Sequence, residues 1–175
     1  MTSSECPYCD FDNKEIQAIA GFMITCVHCG LKFDNPLRPA WSTPPEIILN
    51  AIRRFDVYPV LDVCANDDNH RLPEYITPKQ DGLKTAWTKN AFMNCPFDEI
   101  PLWMERAQEQ SFENHINVIA ILPAYTDSKW WHLHIGDKLQ YVKDYYFLDK
   151  RVDFLIHGKK QKGNHYRMPC VIVLI

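Results

Sequence analysis

The chain has 175 residues, 46% of them hydrophobic and 23% charged, with a formal net charge of −3. That is a globular composition, long enough for one ordinary domain plus a small module, and it excludes a disordered tail. The longest apolar runs, at 118–122 and 171–175, fall far short of the roughly 20 residues that cross a bilayer.

The N-terminal MTSSECPYCD has neither the basic nor the apolar region of a secretory leader. The expectation is a cytoplasmic protein without a membrane partner, whose seven cysteines are metal ligands, core residues or site residues before they are disulfides. Charge is uneven. Residues 138–167 carry eight Lys/Arg against three Asp, a net of +5, so the remainder carries −8. A basic segment on an acidic body reads either as a nucleic-acid contact or as a solvated loop.

In chain order, Cys6-Pro7-Tyr8-Cys9 comes first, followed after sixteen residues by Cys26-Val27-His28-Cys29-Gly30. Two such pairs have the spacing of a zinc ribbon. The two-residue spacer turns both sulfurs of a pair toward one ion, and four thiolates close a tetrahedral, structural site. Residues 1–36 are therefore expected to be a zinc ribbon held by Cys6, Cys9, Cys26 and Cys29. His28 is surplus to a filled shell. Residues 35–39 (Asn-Pro-Leu-Arg-Pro) read as a linker, and a second domain is expected over 40–175.

That domain opens with a helix near 44–55, capped by Ser42 or Thr43, with Ile47, Ile48, Ala51, Ile52 and Phe55 at helical spacing. Strands are expected at 57–65, 75–77, 91–93, 117–123, 141–148, 152–156 and 170–175, and a helix at 101–112. Apolar strands alternating with helices predict an α/β sheet with helices on both faces. In such sheets ligands bind at the carboxyl ends of the strands. Three of those ends carry polar residues: Asp62-Val63-Cys64-Ala65-Asn66, Asn94-Cys95-Pro96-Phe97 and Pro123-Ala124-Tyr125-Thr126-Asp127.

The tetrapeptide at 94–97 says most. Pro96 biases Cys95 to an extended backbone, so its carbonyl is held outward. The Asn94 side-chain oxygen is a second acceptor. Two acceptors and an aromatic face suit the exocyclic amino group of a flat ring stacked on Phe97. Accepting both hydrogens frees the nitrogen lone pair for attack on an electrophile. Read alone, the same residues also describe a turn after a strand with Phe97 in the core. A nucleophilic Cys95, as in cytosine C5 methylation, is a further reading. That chemistry presents Pro before Cys, whereas here Cys comes first. Cys64 and Cys170 sit in apolar runs and read as core thiols. Trp130 and Trp131 read as packing or as ligand contacts, and Asp127 as a helix cap or a site residue.

Taken together, Trp41-Ser42-Thr43-Pro44, Leu61-Asp62-Val63-Cys64-Ala65, Asn69, Tyr75-Ile76-Thr77, Asp81-Gly82-Leu83, Trp87, Asn94-Cys95-Pro96-Phe97, Trp103, Leu122-Pro123 and 126–131, continuing to Arg151 and Phe154, resemble the bacteriophage DNA N-6-adenine-methyltransferase (Dam) family. The resemblance implies a Rossmann-like S-adenosylmethionine-dependent methyltransferase sheet and methyl transfer to adenine N6 in double-stranded DNA. It implies action in the cytoplasm of a phage's or prophage's host. By position, Asn94, Cys95, Pro96 and Phe97 stand where the family has its Asn-Pro-Pro-Tyr/Phe catalytic loop. Trp41, Thr43, Pro44, Asp62, Cys64, Ala65 and Asp81 stand as cofactor contacts, Thr43 and Pro44 against the methionine end. Cys95 departs from the family's first proline but keeps the carbonyl.

Arg151, Lys159, Lys160 and Lys162 are the candidate DNA contacts, the lysines bracketed by Gly158 and Gly163. No separate recognition domain is expected, so sequence choice would fall to loops, the ribbon, the basic segment or a second subunit in a homodimer. Cytosine N4 fits the same acceptor geometry. A catalytically inactive zinc-ribbon DNA-binding protein is the third reading.

Overall fold

The computed structural model describes residues 41–136, 141–156, 159 and 167–175, together with 23–25 and 32–34; at 23–25, 32–34, 156 and 167 the description is of the backbone alone. The four cysteines expected to hold zinc (Cys6, Cys9, Cys26 and Cys29) lie outside these residues, as do Lys160 and Lys162. The chain divides into two compact units, residues 1–39 and 40–175. In the first, β1 (Met23–Thr25) pairs antiparallel with β2 (Lys32–Asp34), Thr25 opposite Lys32.

The second unit begins with β3 (Trp41–Ser42) and α1 (Pro45–Phe55). Proline at the helix start, Glu46 in the first turn and Arg53 and Arg54 in the last suit the helix dipole. The N-cap is Pro44, with no side-chain cap. Ser42 and Thr43, the expected caps, are used otherwise: Ser42 belongs to β3 and Thr43 is buried.

β4 (Leu61–Asp62), β5 (Glu74–Tyr75) and β6 (Ala91–Met93) follow, then α2 (Ile100–Asn114) and β7 (Val118–Pro123). A short α3 (Lys129–Trp131) runs into a π-turn over His132–Gly136. β8 (Asp144–Phe147), β9 (Val152–Asp153), β10 (Leu155–Ile156), β11 (Arg167–Met168) and β12 (Cys170–Leu174) complete the chain.

The main sheet has six strands in the order β5-β4-β6-β7-β12-β8. β5, β4, β6 and β7 are mutually parallel, and β12 is inserted antiparallel between β7 and β8. The carboxyl ends of the four parallel strands therefore share one edge. Both faces are covered. Val118, Ala120 and Leu122 of β7, with Val171 and Val173 of β12, pack with Trp103, Met104 and Ala107 of α2. The alternate residues Ile119, Ile121, Ile172 and Leu174 pack with Ile48 and Ala51 of α1. Burial on both faces is why these strands read as unbroken apolar runs. The result is a six-stranded mixed α/β sheet, consistent with the methyltransferase-like fold that the resemblance implies.

Several strands are shorter than their apolar runs. In the run 57–65 only Leu61–Asp62 is strand, because Pro59 has no N–H for a ladder and Tyr58 is 65% exposed. The run 152–156 is divided between two partners. β9 pairs with β11, whereas β10 pairs with β3, Leu155 opposite Ser42.

Candidate active site

The carboxyl edge of β4 and β6 holds a small cleft lined by Trp41, Ser42, Thr43, Asp62, Cys64, Asn69, Arg71, Phe92 and Asn94. Three separate stretches of chain meet there: β3 with the entry to α1, the end of β4 with the loop after it, and the end of β6. Parallel pairing of Asp62 with Phe92 sets the last two side by side.

Asp62 is 3% exposed. Its Oδ2 accepts the Arg71 backbone N–H at 3.0 Å, while Oδ1 is buried without a hydrogen-bond partner. Desolvation pushes the carboxyl up to about 6, against the opposing pull of the Arg71 and Cys64 backbone N–H groups and the charges of His70 and Arg71. Thr43 is 1% exposed and its Oγ1 is likewise unpartnered. Polar groups buried in this condition are costly unless something else satisfies them.

The loop after β4 is tied to β3. Asn69 Nδ2 donates to the Trp41 carbonyl at 3.1 Å, and its Oδ1 accepts the Asn66 N–H at 2.7 Å. Arg71 Nη2 donates to Ser42 Oγ.

Asn94 directly follows β6 and lines the cleft half-buried. No hydrogen bond among the described residues engages its side-chain amide or the Cys95 carbonyl, so both acceptors of the loop are available. The Cys95 thiol is 3% exposed, and burial pushes its pKa far up. A thiol buried in the core in this way is poorly placed to act as a nucleophile, which counts against the covalent reading. Pro96 and Phe97 are half-buried, with the Phe97 ring edge-on to Phe154 at 6.1 Å.

Other expected residues are placed differently. Pro44 and Ala65 are buried and do not line the cleft. Asp81 does not line it either. Its Oδ1 accepts the Leu83 N–H at 3.1 Å and its Oδ2 pairs with Lys84 at 2.8 Å. The reason is the backbone: Asp81 takes a left-handed φ of 61°, and Gly82 then presses against the end of β4. A Cβ on Gly82 would sit 2.3 Å from the Val63 carbonyl oxygen. Cys170 is a core thiol pushed up to about 12 by burial. Cys64 is half-buried, not core, and belongs to the cleft lining. Trp131 is buried, its ring against Tyr145 and Phe147. Asp127 is exposed, and the cap of α3 is Ser128. Arg151 and Lys159 are exposed.

Arg71 is the site residue that sequence reasoning missed. It has no local signature, because its partners are nine and 29 positions away. Asn69 carried a signal in the resemblance, without a role.

Residues 31–175 match the family described as DNA N-6-adenine-methyltransferase (Dam). The DNA N-6-adenine-methyltransferase of Haemophilus phage HP1 (strain HP1c1) is 25% identical over 135 residues, 77% of this chain and 76% of that protein. The DNA N-6-adenine-methyltransferase of Escherichia phage T1 is 28% identical over 104 residues, 58% of this chain and 43% of that protein, so the match spans less than half of the T1 enzyme.

Proposed function

The chain belongs to the DNA N-6-adenine-methyltransferase (Dam) family, and from that premise we propose that it methylates the N6 amino group of adenine in DNA through the cleft at the ends of β4 and β6. One observation carries the assignment of the site. Asn94, with a free amide, opens onto the same cleft as two buried polar atoms that lack partners, Thr43 Oγ1 and Asp62 Oδ1.

Those two atoms fit S-adenosylmethionine, whose amino-acid end brings both an ammonium and a carboxylate. Asp62 and Thr43 would hold that end, with Trp41 and Cys64 lining the cleft beside them. When bound, the cofactor supplies an electrophilic methyl group. The rest of the work falls to the chain. The target adenine leaves the duplex to reach the cleft. Asn94 Oδ1 and the Cys95 carbonyl accept its two N6 hydrogens, which orients the amino group and exposes its lone pair. Phe97 offers the ring a stacking face. Pro96 holds the Cys95 carbonyl in line. Catalysis of this kind rests on positioning and polarisation, without a covalent enzyme intermediate.

Arg151 and Lys159, with Lys160 and Lys162, are proposed to contact DNA phosphates. Arg151 follows β8, which runs parallel to β7 because both pair antiparallel with β12. That register brings the residues after β8 to the edge that holds Asn94. Affinity for DNA should accordingly fall steeply with salt. For residues 1–36, zinc held by Cys6, Cys9, Cys26 and Cys29 remains the proposal, supported by the antiparallel β1–β2 pair flanking the second cysteine pair in sequence. Metal analysis of protein purified under reducing conditions should find one zinc per chain, and its absence removes the ribbon. A homodimer that shares sequence choice is tested by sedimentation with and without DNA.

The decisive experiment is single-molecule sequencing of host DNA after expression. N6-methyladenine in a defined sequence context is expected. N4-methylcytosine without N6-methyladenine would overturn the assignment.

A further inference from the structure

Among the described residues, five buried side-chain polar atoms lack a hydrogen-bond partner, and three of them belong to residues lining one cleft: Thr43 Oγ1, Asp62 Oδ1 and Arg71 Nε. The wider crevice along β5 has none. One of the three residues carries a hydroxyl, one a carboxyl and one a guanidinium. Asp62 and Arg71 are linked through the Arg71 backbone N–H, and no ion pair joins their side chains among the described residues. Two opposite charges therefore border one cleft without a direct contact between them, although the Arg71 charge is felt at Asp62.

A zwitterion complements that arrangement. Asp62 takes an ammonium, and the Arg71 fork, whose Nη2 already reaches Ser42 Oγ, has donors left for a carboxylate. We propose that Arg71 is the residue that recognises the α-carboxylate of the cofactor's amino-acid end and so selects intact S-adenosylmethionine over forms lacking that group. This rests on the cofactor reading above and adds a specificity residue to it. Arg71 is well placed for the task because its backbone is anchored to Asp62 and its side chain to β3, so little freedom remains to be lost on binding.

The test compares two ligands, S-adenosylmethionine and its decarboxylated analogue, by calorimetry on the full chain. Wild type should prefer the intact cofactor by roughly 10- to 100-fold, the scale of charge-assisted hydrogen bonds. Arg71→Met should bind the analogue as wild type does and lose the preference, while Arg71→Lys retains part of it. Ser42→Ala, which removes the tether and leaves the guanidinium, should lower the preference less than Arg71→Met does. Equal weakening of both ligands in Arg71→Met, or an unchanged preference, overturns the proposal and leaves Arg71 a structural tie. If wild type binds neither ligand, the cofactor reading itself fails before any variant is measured, and this inference falls with it.

Discussion

The two halves of the sheet are built on opposite principles. β7 and β12 pair over five positions, from Cys170 opposite Pro123 to Leu174 opposite Ile119, and every one of their residues is buried. β4, β5 and β6 have two or three residues each. The ends of β4 and β6 bring a carboxyl and an amide into one cleft, where the entry to α1 adds a hydroxyl; the carboxyl and the hydroxyl have atoms left unsatisfied. The first half is saturated with native contacts, and the second is left incomplete in a way that a ligand can complete. Stability and chemistry are thus made in different strands of one sheet.

The strongest way to break that division is to remove the chemistry alone. Asn94→Ala should lower methyl transfer by roughly 10²–10³-fold, by analogy with deleting one preorganised hydrogen-bonding group at a reacting centre. Because Asn94 is half-buried with no hydrogen bond from its amide, thermal stability should stay near wild type and cofactor binding should persist. Transfer assays beside a melting curve decide it. Retained activity would take Asn94 out of its role.

The converse substitution attacks the saturated half. Ile172 is fully buried in β12 between β7 and β8 and packs toward α1. Ile172→Ala should cost about 2–5 kcal/mol by leaving a cavity, while the folded fraction turns over normally. Urea unfolding with activity normalised to folded protein separates the two effects. A kcat loss beyond the unfolded fraction would mean that the halves are coupled.

The saturated half was legible in the sequence, and the incomplete half only in part. The unbroken burial at 118–122 and 171–175 needs no tertiary information beyond two covered faces, so the runs predict their own strands. Asn94 and Asp62 could be placed at the sheet edge because strand ends carry ligands in α/β sheets, whereas Thr43 was pointed to by the family resemblance alone. Arg71 was not legible, since its role exists only once Asp62 and Ser42 are folded against it. Asp81 sits apart from the cleft, and an acidic residue before a glycine reads the same whether it faces a cofactor or ties its own turn to Lys84. The run 57–65 misled for a different reason. Apolar side chains at Tyr58 and Val60 are exposed at 65% and 39%, and composition does not report which apolar residues the fold leaves outside.

A third prediction sharpens the comparison through pH. Asp62 has its folded pKa raised to about 6 from 3.8 by burial. A raised carboxyl favours the protonated folded state, so its contribution to stability is present below about pH 4 and lost as pH rises through about 6. The loss is about 3 kcal/mol at most. Asp62→Asn should flatten that part of the stability profile between pH 4 and 7 in cofactor-free protein and make the variant more stable than wild type at pH 7. Cofactor affinity should move the other way, strengthening in wild type as the carboxylate forms and becoming weak and pH-independent in Asp62→Asn. Denaturation midpoints across the window test the first expectation and calorimetry the second. A wild-type profile with no slope there would show that Asp62 is not strained.

The smallest effect is expected where the saturated half reaches the active edge. Ser128 caps α3: its Oγ accepts the Trp131 N–H at 3.4 Å and donates to the Tyr125 carbonyl at 2.6 Å. These two bonds shape the turn that follows β7 and seat Trp131 against Tyr145 and Phe147. Ser128→Ala removes a cap and should cost roughly 1 kcal/mol. If this loop serves only the packed half, kcat stays within about twofold of wild type, because a surface cap of this size perturbs little beyond its own turn. A drop in kcat much larger than the loss of stability would place the turn at 124–128 among the groups that position the target base. The line between the halves would then run through β7 itself, dividing its buried strand from its carboxyl end.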